Sequence, residues 1–122
     1  MSNSSPSFVA AVDAEGREVA GPGITRQFLG YGPDLMAVKV WFETGAVGEV
    51  HEHFHSQVSY VESGVFDVQV GSEVKRLAAG DSFYVEPHVD HGAVCIEAGV
   101  LIDMFNPVRE DFLSGEGYGN ED

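Results

Sequence analysis

The sequence predicts an all-β domain, folded as an antiparallel barrel or sandwich. Glycine and proline interrupt the chain at short intervals, as in residues 21–23 (Gly-Pro-Gly) and 30–33 (Gly-Tyr-Gly-Pro), and these residue types favour turns. Between the turns lie short segments rich in β-branched and aromatic residues, which favour strands. In residues 65–70 apolar and polar side chains alternate, as they do in a half-buried strand.

Nine segments between turns fit this pattern. In order along the chain they are residues 8–12, 24–29, 35–43, 57–62, 65–70, 73–77, 82–85, 92–96 and 100–106. The first three are rich in Val, Phe, Leu and Ile, the next three are separated by Ser-Gly and Gly-Ser pairs, and the last three follow Gly80, Pro87 and Gly99. Residues 108–113 have enough helix formers for one short closing helix.

Composition limits the domain count and the partners. A chain of 122 residues fits one domain, for which we expect residues 8–113, with a disordered stretch at 1–7 and a flexible acidic tail at 114–122. Twenty acidic residues against six basic ones leave a net charge of −14, so nucleic acid and anionic membranes are poor partners. The acidity serves solubility or reflects life in high salt, and both interpretations stay open.

A reducing compartment is the natural setting. Cys95 is the only cysteine, so an intrachain disulfide is excluded. Residues 1–7 are polar and do not resemble a secretory signal, and no segment approaches the roughly 20 apolar residues that span a bilayer. We therefore expect a cytoplasmic protein without a membrane partner.

Three histidines alternate in residues 51–55 (His-Glu-His-Phe-His) and suggest a metal site. Residues two apart in an extended strand point to the same side, which would place these imidazoles in a row. Imidazole is a ligand for zinc, nickel, copper and iron. Gln57 opens the next segment with an amide oxygen, and His91 follows a turn. We predict one divalent metal ion bound by His51, His53, Gln57 and His91, with His55 and His88 exposed or behind the ligands.

The spacing of these residues resembles that of the cupin superfamily. Its first motif is reproduced by Gly45, His51, His53, Gln57 and Gly64, with Gln in the place of Glu. The second motif matches through Gly80 and His91, although Glu86, His88 and Cys95 stand where Pro, Gly and Asn are usual. Over residues 35–106 the resemblance implies a small single-domain cupin with a jelly-roll-like antiparallel β-barrel, and it also implies a homodimer. A metal-free cupin that keeps vestigial histidines is the alternative.

The Glu-to-Gln exchange has a chemical consequence. Three neutral imidazoles and a neutral amide leave the 2+ charge of the metal uncompensated, so the site favours anionic ligands. It also lacks the two-histidine, one-carboxylate set of many non-haem iron oxygenases, which argues against dioxygen chemistry. Such ligands accept nickel, zinc, manganese, cobalt or iron, so the identity of the metal stays open.

Two charged residues near the C-terminus are candidates for catalysis. Asp103 shares one strand face with Leu101 and Phe105, and a carboxylate that faces the core between apolar neighbours is costly unless it is paired or functional. The alternative is that Asp103 faces solvent. Arg109 could reach the barrel mouth and hold a carboxylate, or it could pair at the surface with a neighbouring acidic residue.

The segment 103–113 (Asp-Met-Phe-Asn-Pro-Val-Arg-Glu-Asp-Phe-Leu) resembles the closing segment of the pectin-degradation cupins called KdgF. Residues 57–61 and 80–83 also resemble theirs, and the resemblance spans about residues 23–113. It implies that a small anionic sugar, a 4,5-unsaturated monouronate released by pectin or alginate lyases, is converted into linear 5-keto-4-deoxyuronate. This is a redox-neutral isomerisation by ring opening and enol–keto tautomerisation.

The resemblance also implies that Asp103, Phe105 and Arg109 line the site beside the metal. In this hypothesis the metal is a Lewis acid, Arg109 holds the substrate carboxylate, Asp103 moves protons and Phe105 forms a wall. The competing interpretations are another metal-dependent cupin enzyme, such as a dioxygenase or a sugar epimerase, and a free-standing sugar-binding cupin.

Overall fold

The computed structural model describes residues 4–11 and 17–114. In these residues the chain forms eight strands and one short helix: β1 (Glu18–Gly21), β2 (Ile24–Gly32), β3 (Leu35–Phe42), β4 (Val47–His51), β5 (Ser56–Val70), β6 (Glu73–Ala78), β7 (Ser82–Val85), β8 (His91–Asn106) and α1 (Glu110–Leu113). All strand pairings are antiparallel. The all-β prediction is confirmed.

Two long strands organise the sheet. The strand order is β1-β2-β3-β8-β5-β6, with β4 added on β8 and β7 added on β5. The first part of β8 pairs with β4 and its second part pairs with β3, while β5 runs beside both parts. Strands β5 and β8 therefore bend from one half of the barrel into the other, and their inward faces meet inside it.

The bend depends on two glycines. The register between β5 and β8 shifts around residues 61–66. A methyl group on Gly99 would lie 2.1 Å from the Ser63 carbonyl oxygen, and one on Gly64 would lie 2.6 Å from the Gly99 Cα. Gly64 also has φ +86°, which a side chain disfavours. Only glycine allows the two backbones to cross this closely.

The core fills the space between the inward faces of the strands. Its buried side chains include Met36, Val38 and Val40 of β3 and Phe66 of β5. Helix α1 closes one end of this core with Phe112, whose ring meets the Phe105 ring edge-on at 5.6 Å between centroids. The closing helix was predicted for residues 108–113 and forms at 110–113.

The structure differs from the predicted strands in three places. Residues 8–11 form no strand, so the prediction there is wrong, and Val12 lies outside the described residues. Strands β1 and β4 were not predicted, because β1 has only four residues and β4 combines Gly48 with polar residues. The predicted pairs 57–62 with 65–70, and 92–96 with 100–106, are each one continuous strand.

The chain ends were predicted to be disordered or flexible at 1–7 and 114–122. Residues 1–3 and 115–122 of these stretches lie outside the described residues. The Ser5 backbone N–H donates a hydrogen bond to the Tyr31 carbonyl at 2.8 Å, so this stretch contacts β2. Among the described residues there is no helix with the length and apolar character that crossing a membrane requires.

Candidate active site

Three histidines converge where β4 meets β8. His51 ends β4, His91 begins β8, and the two are partners in the ladder. His53 lies in the connection between β4 and β5. One ring nitrogen of each histidine lies within 4.8 Å of the others. The histidines of residues 51–55 were expected to alternate along one strand, but β4 ends at His51. The connection after β4 nevertheless brings His53 close to His51 and His91.

Backbone carbonyls orient all three imidazoles. The Nδ1 atoms of His51, His53 and His91 lie 2.7, 3.1 and 2.8 Å from the carbonyl oxygen of a residue two positions away. Since a carbonyl only accepts, Nδ1 is the ring atom that donates. Nε2 then keeps its lone pair for a metal, which is the arrangement typical of histidine ligands. In His91 this buried Nε2 has no hydrogen-bond partner.

The surroundings of His53 and His91 keep these two rings neutral at physiological pH. Burial, the charge of Arg109 and the two neighbouring imidazoles lower the pKa of His53 to about 3. Burial also lowers the pKa of His91 to about 4, although the hydrogen bond to a backbone carbonyl opposes the shift. A neutral imidazole binds a metal without first losing a proton.

Gln57 also indicates a metal site, because the two nitrogens of the His53 ring each face an oxygen acceptor. Its Oε1 lies 3.1 Å from His53 Nε2, while His53 Nδ1 faces the His55 carbonyl oxygen. A neutral imidazole carries one proton, so one of these two oxygens faces a nitrogen lone pair. A cation bound between Nε2 and Oε1 removes the conflict. The three histidines and the Gln57 oxygen therefore fit a divalent metal ion.

Asp103 faces inward and lies next to this ligand set. It is 1% exposed and pairs with Ser59 across the β5–β8 ladder. The Ser59 hydroxyl donates to Asp103 Oδ1 at 2.5 Å and accepts a hydrogen bond from Gln57 Nε2 at 2.8 Å. Burial raises the pKa of Asp103 to about 6, against the opposing effects of Ser59 and Arg109. The solvent-facing alternative for Asp103 is thereby excluded.

Arg109 is buried and already has a carboxylate partner. Its Nε and Nη2 atoms pair with the two oxygens of Asp111 at 3.0 and 2.7 Å. The guanidinium also stacks against Phe112 and Phe105, with its central carbon 4.0 and 4.9 Å from the ring centroids. Asp111 occupies one edge of a group that has five N–H donors. The expected pair with a neighbouring acid is thus present, with Arg109 buried and the Asp111 side chain 35% exposed.

Phe105 lies behind the histidines. It pairs with Gln57 in the ladder and is 1% exposed, and its ring is 5.9 Å from that of His53. It therefore touches both the ligand set and Arg109.

A small cavity lies between the histidine ligands and the two charged residues, Asp103 and Arg109. Its volume is about 30 Å³, and its walls include His51, Gln57, His91, Asp103 and Arg109. This is room for water, whereas a sugar ring would have to displace side chains at the mouth. A larger cavity of about 440 Å³ lies between residues 4–10 and β2, where no histidine lines it. Of these two cavities, only the smaller one is lined by histidines, Asp103 and Arg109.

The remaining two histidines differ in their surroundings. His55 is buried, its ring stacks on Phe54 at 4.1 Å, and burial lowers its pKa. His88 is exposed and lies 2.8 Å from Glu52, and its backbone N–H donates to the His53 carbonyl at 2.7 Å. His88 thereby supports the loop that carries a ligand.

Comparison with known proteins identifies the family. The family model of the cupin domain matches residues 38–105 of this chain. The pectin degradation protein KdgF of Dickeya dadantii (strain 3937) is 43% identical over 98 residues, which cover 79% of this chain and 89% of that protein. The chain is a cupin of the KdgF family.

Solved structures agree with this assignment. The structure of KdgF from Halomonas sp. superposes with a TM-score of 0.83 at 41% identity, covering 88% of this chain and 99% of that one. An RmlC-like cupin from Shewanella frigidimarina NCIMB 400 superposes with a TM-score of 0.86 at 56% identity, covering 89% and 97%.

One residue of this KdgF-family site, Ser59, was not predicted. Ser59 connects Gln57 with Asp103, and Asp111 pairs with Arg109. The strand period of two could have indicated Ser59, because it places a polar residue on the inward face of β5 two positions after Gln57. Pairing with a neighbouring acid was one of the two predicted interpretations of Arg109, and the structure shows that this acid is Asp111.

Proposed function

We propose that this KdgF-family cupin is an isomerase that opens the ring of 4,5-unsaturated monouronates and yields linear 5-keto-4-deoxyuronate. One observation supports this most directly: a buried carboxyl with a pKa of about 6, Asp103, shares a cavity with a cation site and an arginine. A group that titrates near neutrality can both accept and donate a proton at physiological pH.

The proposed reaction is balanced without an oxidant or a reductant. The substrate is a cyclic hemiacetal whose C4=C5 double bond is conjugated to the carboxylate. The hydroxyl at C1 loses a proton, the bond between C1 and the ring oxygen breaks, and C1 becomes an aldehyde. The ring oxygen becomes the C5 ketone as C4 gains a proton. One proton leaves and one arrives, so a single acid–base group serves both steps.

Three residues of the chain have roles in this proposal. Arg109 binds the substrate carboxylate through N–H groups that Asp111 does not occupy. Asp103 in its ionised form takes the proton from the C1 hydroxyl and, once protonated, delivers a proton to C4. Phe105 forms the apolar wall behind the site and excludes water from it.

The metal-binding residues in this proposal are His51, His53, Gln57 and His91. A divalent ion of nickel, zinc, manganese, cobalt or iron at this site would supply Lewis-acid stabilisation of negative charge on the substrate oxygens. Because the four ligands are neutral, the site keeps its positive charge for an anionic substrate.

The purified protein is expected to convert unsaturated galacturonate only when metal is bound. Loss of the conjugated-enoate absorbance, and the linear keto product seen by NMR, measure the reaction. A chelator should remove at least 95% of the rate, and adding back one divalent metal should restore it, because activity requires a filled ligand set. Oxygen uptake would indicate a dioxygenase, and an unchanged enoate with inverted stereochemistry would indicate an epimerase.

We also propose that the protein is a homodimer through one sheet face. Val58, Tyr60 and Tyr84 point outward there and are 40–54% exposed, beside Ile102 and Met104 of β8. Outward positions of an antiparallel sheet are usually polar, and exposed apolar patches mark interaction sites.

Charge favours a second copy of the chain as the partner at this face. The net charge is −14, yet the face carries the opposite charges of Lys39 and Glu62, 3.6 Å apart, so two copies meet there with little repulsion. Light scattering should give a dimer for the natural chain and a monomer for Tyr60→Glu, whereas Val74→Glu on β6 should stay dimeric. A monomeric natural chain at 100 µM, on the order of a weak dimer's Kd, contradicts the proposal.

We also propose a cytoplasmic location, and this proposal rests on the single cysteine. Cys95 is 1% exposed and carries no disulfide, which suits a reducing compartment.

A further inference from the structure

Ser59 holds two functional groups with one hydroxyl. It lies on the inward face of β5, is fully buried, and stands directly between Gln57 and Asp103. We propose that Ser59 is a positioning residue that fixes the Gln57 amide with its oxygen toward the histidines and, through the same hydroxyl, holds the Asp103 carboxylate in place.

The argument begins with counting donors. A hydroxyl has one proton, and an ionised carboxylate only accepts, so the Ser59 proton goes to Asp103. The remaining lone pairs of Ser59 Oγ can then only accept, and the Gln57 NH₂ group is the donor at 2.8 Å. The amide is thereby oriented with Nε2 toward Ser59 and Oε1 toward His53. Asp103 decides which end of the Gln57 amide faces the ligand set.

The orientation matters because the two ends of an amide have opposite effects on a cation. An oxygen facing the imidazoles adds a fourth ligand, whereas an NH₂ group facing them adds partial positive charge. Without the hydroxyl, the Gln57 amide loses the contact that distinguishes these orientations. Groups that orient metal ligands are commonly worth a factor of 10–100 in metal affinity.

The same hydrogen bond acts on Asp103. Ser59 and Asp103 are ladder partners, so a bond of 2.5 Å between their side chains fixes the carboxylate in one rotamer. This half of the inference rests on the proposed function, because it concerns proton transfer. The metal half does not depend on any substrate.

Metal affinity tests the first half. Ni²⁺ and Co²⁺ are titrated into the metal-free full-length protein in competition with a chromophoric chelator. Ser59→Ala and Ser59→Cys, which lack a good hydroxyl donor of the same geometry, should bind each metal at least 10-fold more weakly, and Ser59→Thr should restore affinity to within about 3-fold. Natural affinity in both Ser59→Ala and Ser59→Cys would overturn the inference.

Val61→Ala is the matched control. Val61 is the next inward residue of β5 and is fully buried in the apolar core. Its truncation should lower the melting temperature while leaving metal affinity within about 2-fold. An equal loss of metal affinity in Val61→Ala and Ser59→Ala would mean that loosened packing is the cause, and it too would overturn the inference.

Kinetics with unsaturated galacturonate at saturating metal tests the second half. Ser59→Ala should lower kcat at least 10-fold and change KM less than 3-fold, because Ser59 orients Asp103 and is proposed to contact no substrate. A natural kcat in Ser59→Ala would overturn this half. If the natural protein itself lacks turnover, the proposed function fails, whereas the metal titrations still decide the Ser59–Gln57 half.

Discussion

Asp103→Asn is expected to lower turnover by roughly 10²–10⁴-fold while leaving the metal site intact. An asparagine keeps an oxygen that can accept the Ser59 hydrogen bond. The hydrogen bond from Gln57 to Ser59, and with it the orientation of the Gln57 amide, is therefore retained. It cannot accept the C1 hydroxyl proton or deliver one to C4. The decay of enoate absorbance measures the loss, and metal content is measured by mass spectrometry of the same sample. Turnover within 3-fold of the natural protein would remove Asp103 from the proposed mechanism.

The same substitution is expected to stabilise the metal-free protein above pH 6. The ordinary pKa of 3.8 holds in the unfolded chain, whereas burial raises the folded-state pKa of Asp103 to about 6. The folded state therefore binds the proton more tightly. This contribution to stability is fully present below pH 3.8 and is lost as the pH rises through 6. At about 1.4 kcal/mol per pKa unit, the loss is about 3 kcal/mol above pH 7.

Urea unfolding of the metal-free proteins between pH 4 and pH 8 measures this difference. The free energies of unfolding of the natural protein and Asp103→Asn should be similar near pH 4. At pH 8, Asp103→Asn should be the more stable of the two by about 2 to 3 kcal/mol. Asp67→Asn removes an exposed carboxylate that pairs with Arg76, and it should show neither the stabilisation nor the loss of turnover. A parallel pH dependence for Asp103→Asn and the natural chain would contradict the raised pKa of the buried Asp103 carboxyl.

Short-range patterns were sufficient to predict most of the fold. Alternation and turn residues are local signals, and they located most of the strands of an all-β chain. The missed strand β4 shows the limit: its residues 47–51 (Val-Gly-Glu-Val-His) alternate weakly, and its position depends on pairing with β8, about forty residues later. The wrong prediction at residues 8–11 shows the opposite error, because an apolar segment that pairs with no sheet edge does not form a strand.

The candidate site was predictable where spacing encodes geometry. His51, His53 and His91 were found from spacing, and the structure brings their ring nitrogens together. Partners that depend on tertiary packing were not predictable. The Ser59–Asp103 bond requires the register of β5 against β8, and the burial of Arg109 requires the closing helix to pack on Phe105.

Gln57→Glu is expected to bind divalent metal more tightly and to turn over at least 10-fold more slowly at pH 7. A carboxylate in this place neutralises one unit of the metal's charge, which favours the ion. The substitution also replaces the Gln57 NH₂ group, which donates a hydrogen bond to Ser59, with a carboxylate oxygen. Two carboxyl groups then compete for the single Ser59 hydroxyl proton. The second negative charge raises the pKa of Asp103 further, and the proton that it then retains prevents it from acting as a base at pH 7.

The metal-free form of Gln57→Glu should be less stable than the natural chain by at least about 2 kcal/mol, because it buries a charge and loses a hydrogen bond. Metal titration, urea unfolding and the pH dependence of kcat measure the three effects, and the kcat profile should shift to higher pH. Gln69→Glu makes the same chemical change farther along β5, where the side chain bonds the Gly71 carbonyl, and should leave metal affinity and kcat within about 2-fold. Natural turnover at pH 7 in Gln57→Glu would show that the neutral ligand is not required, and that the positive charge of the site does not drive the reaction.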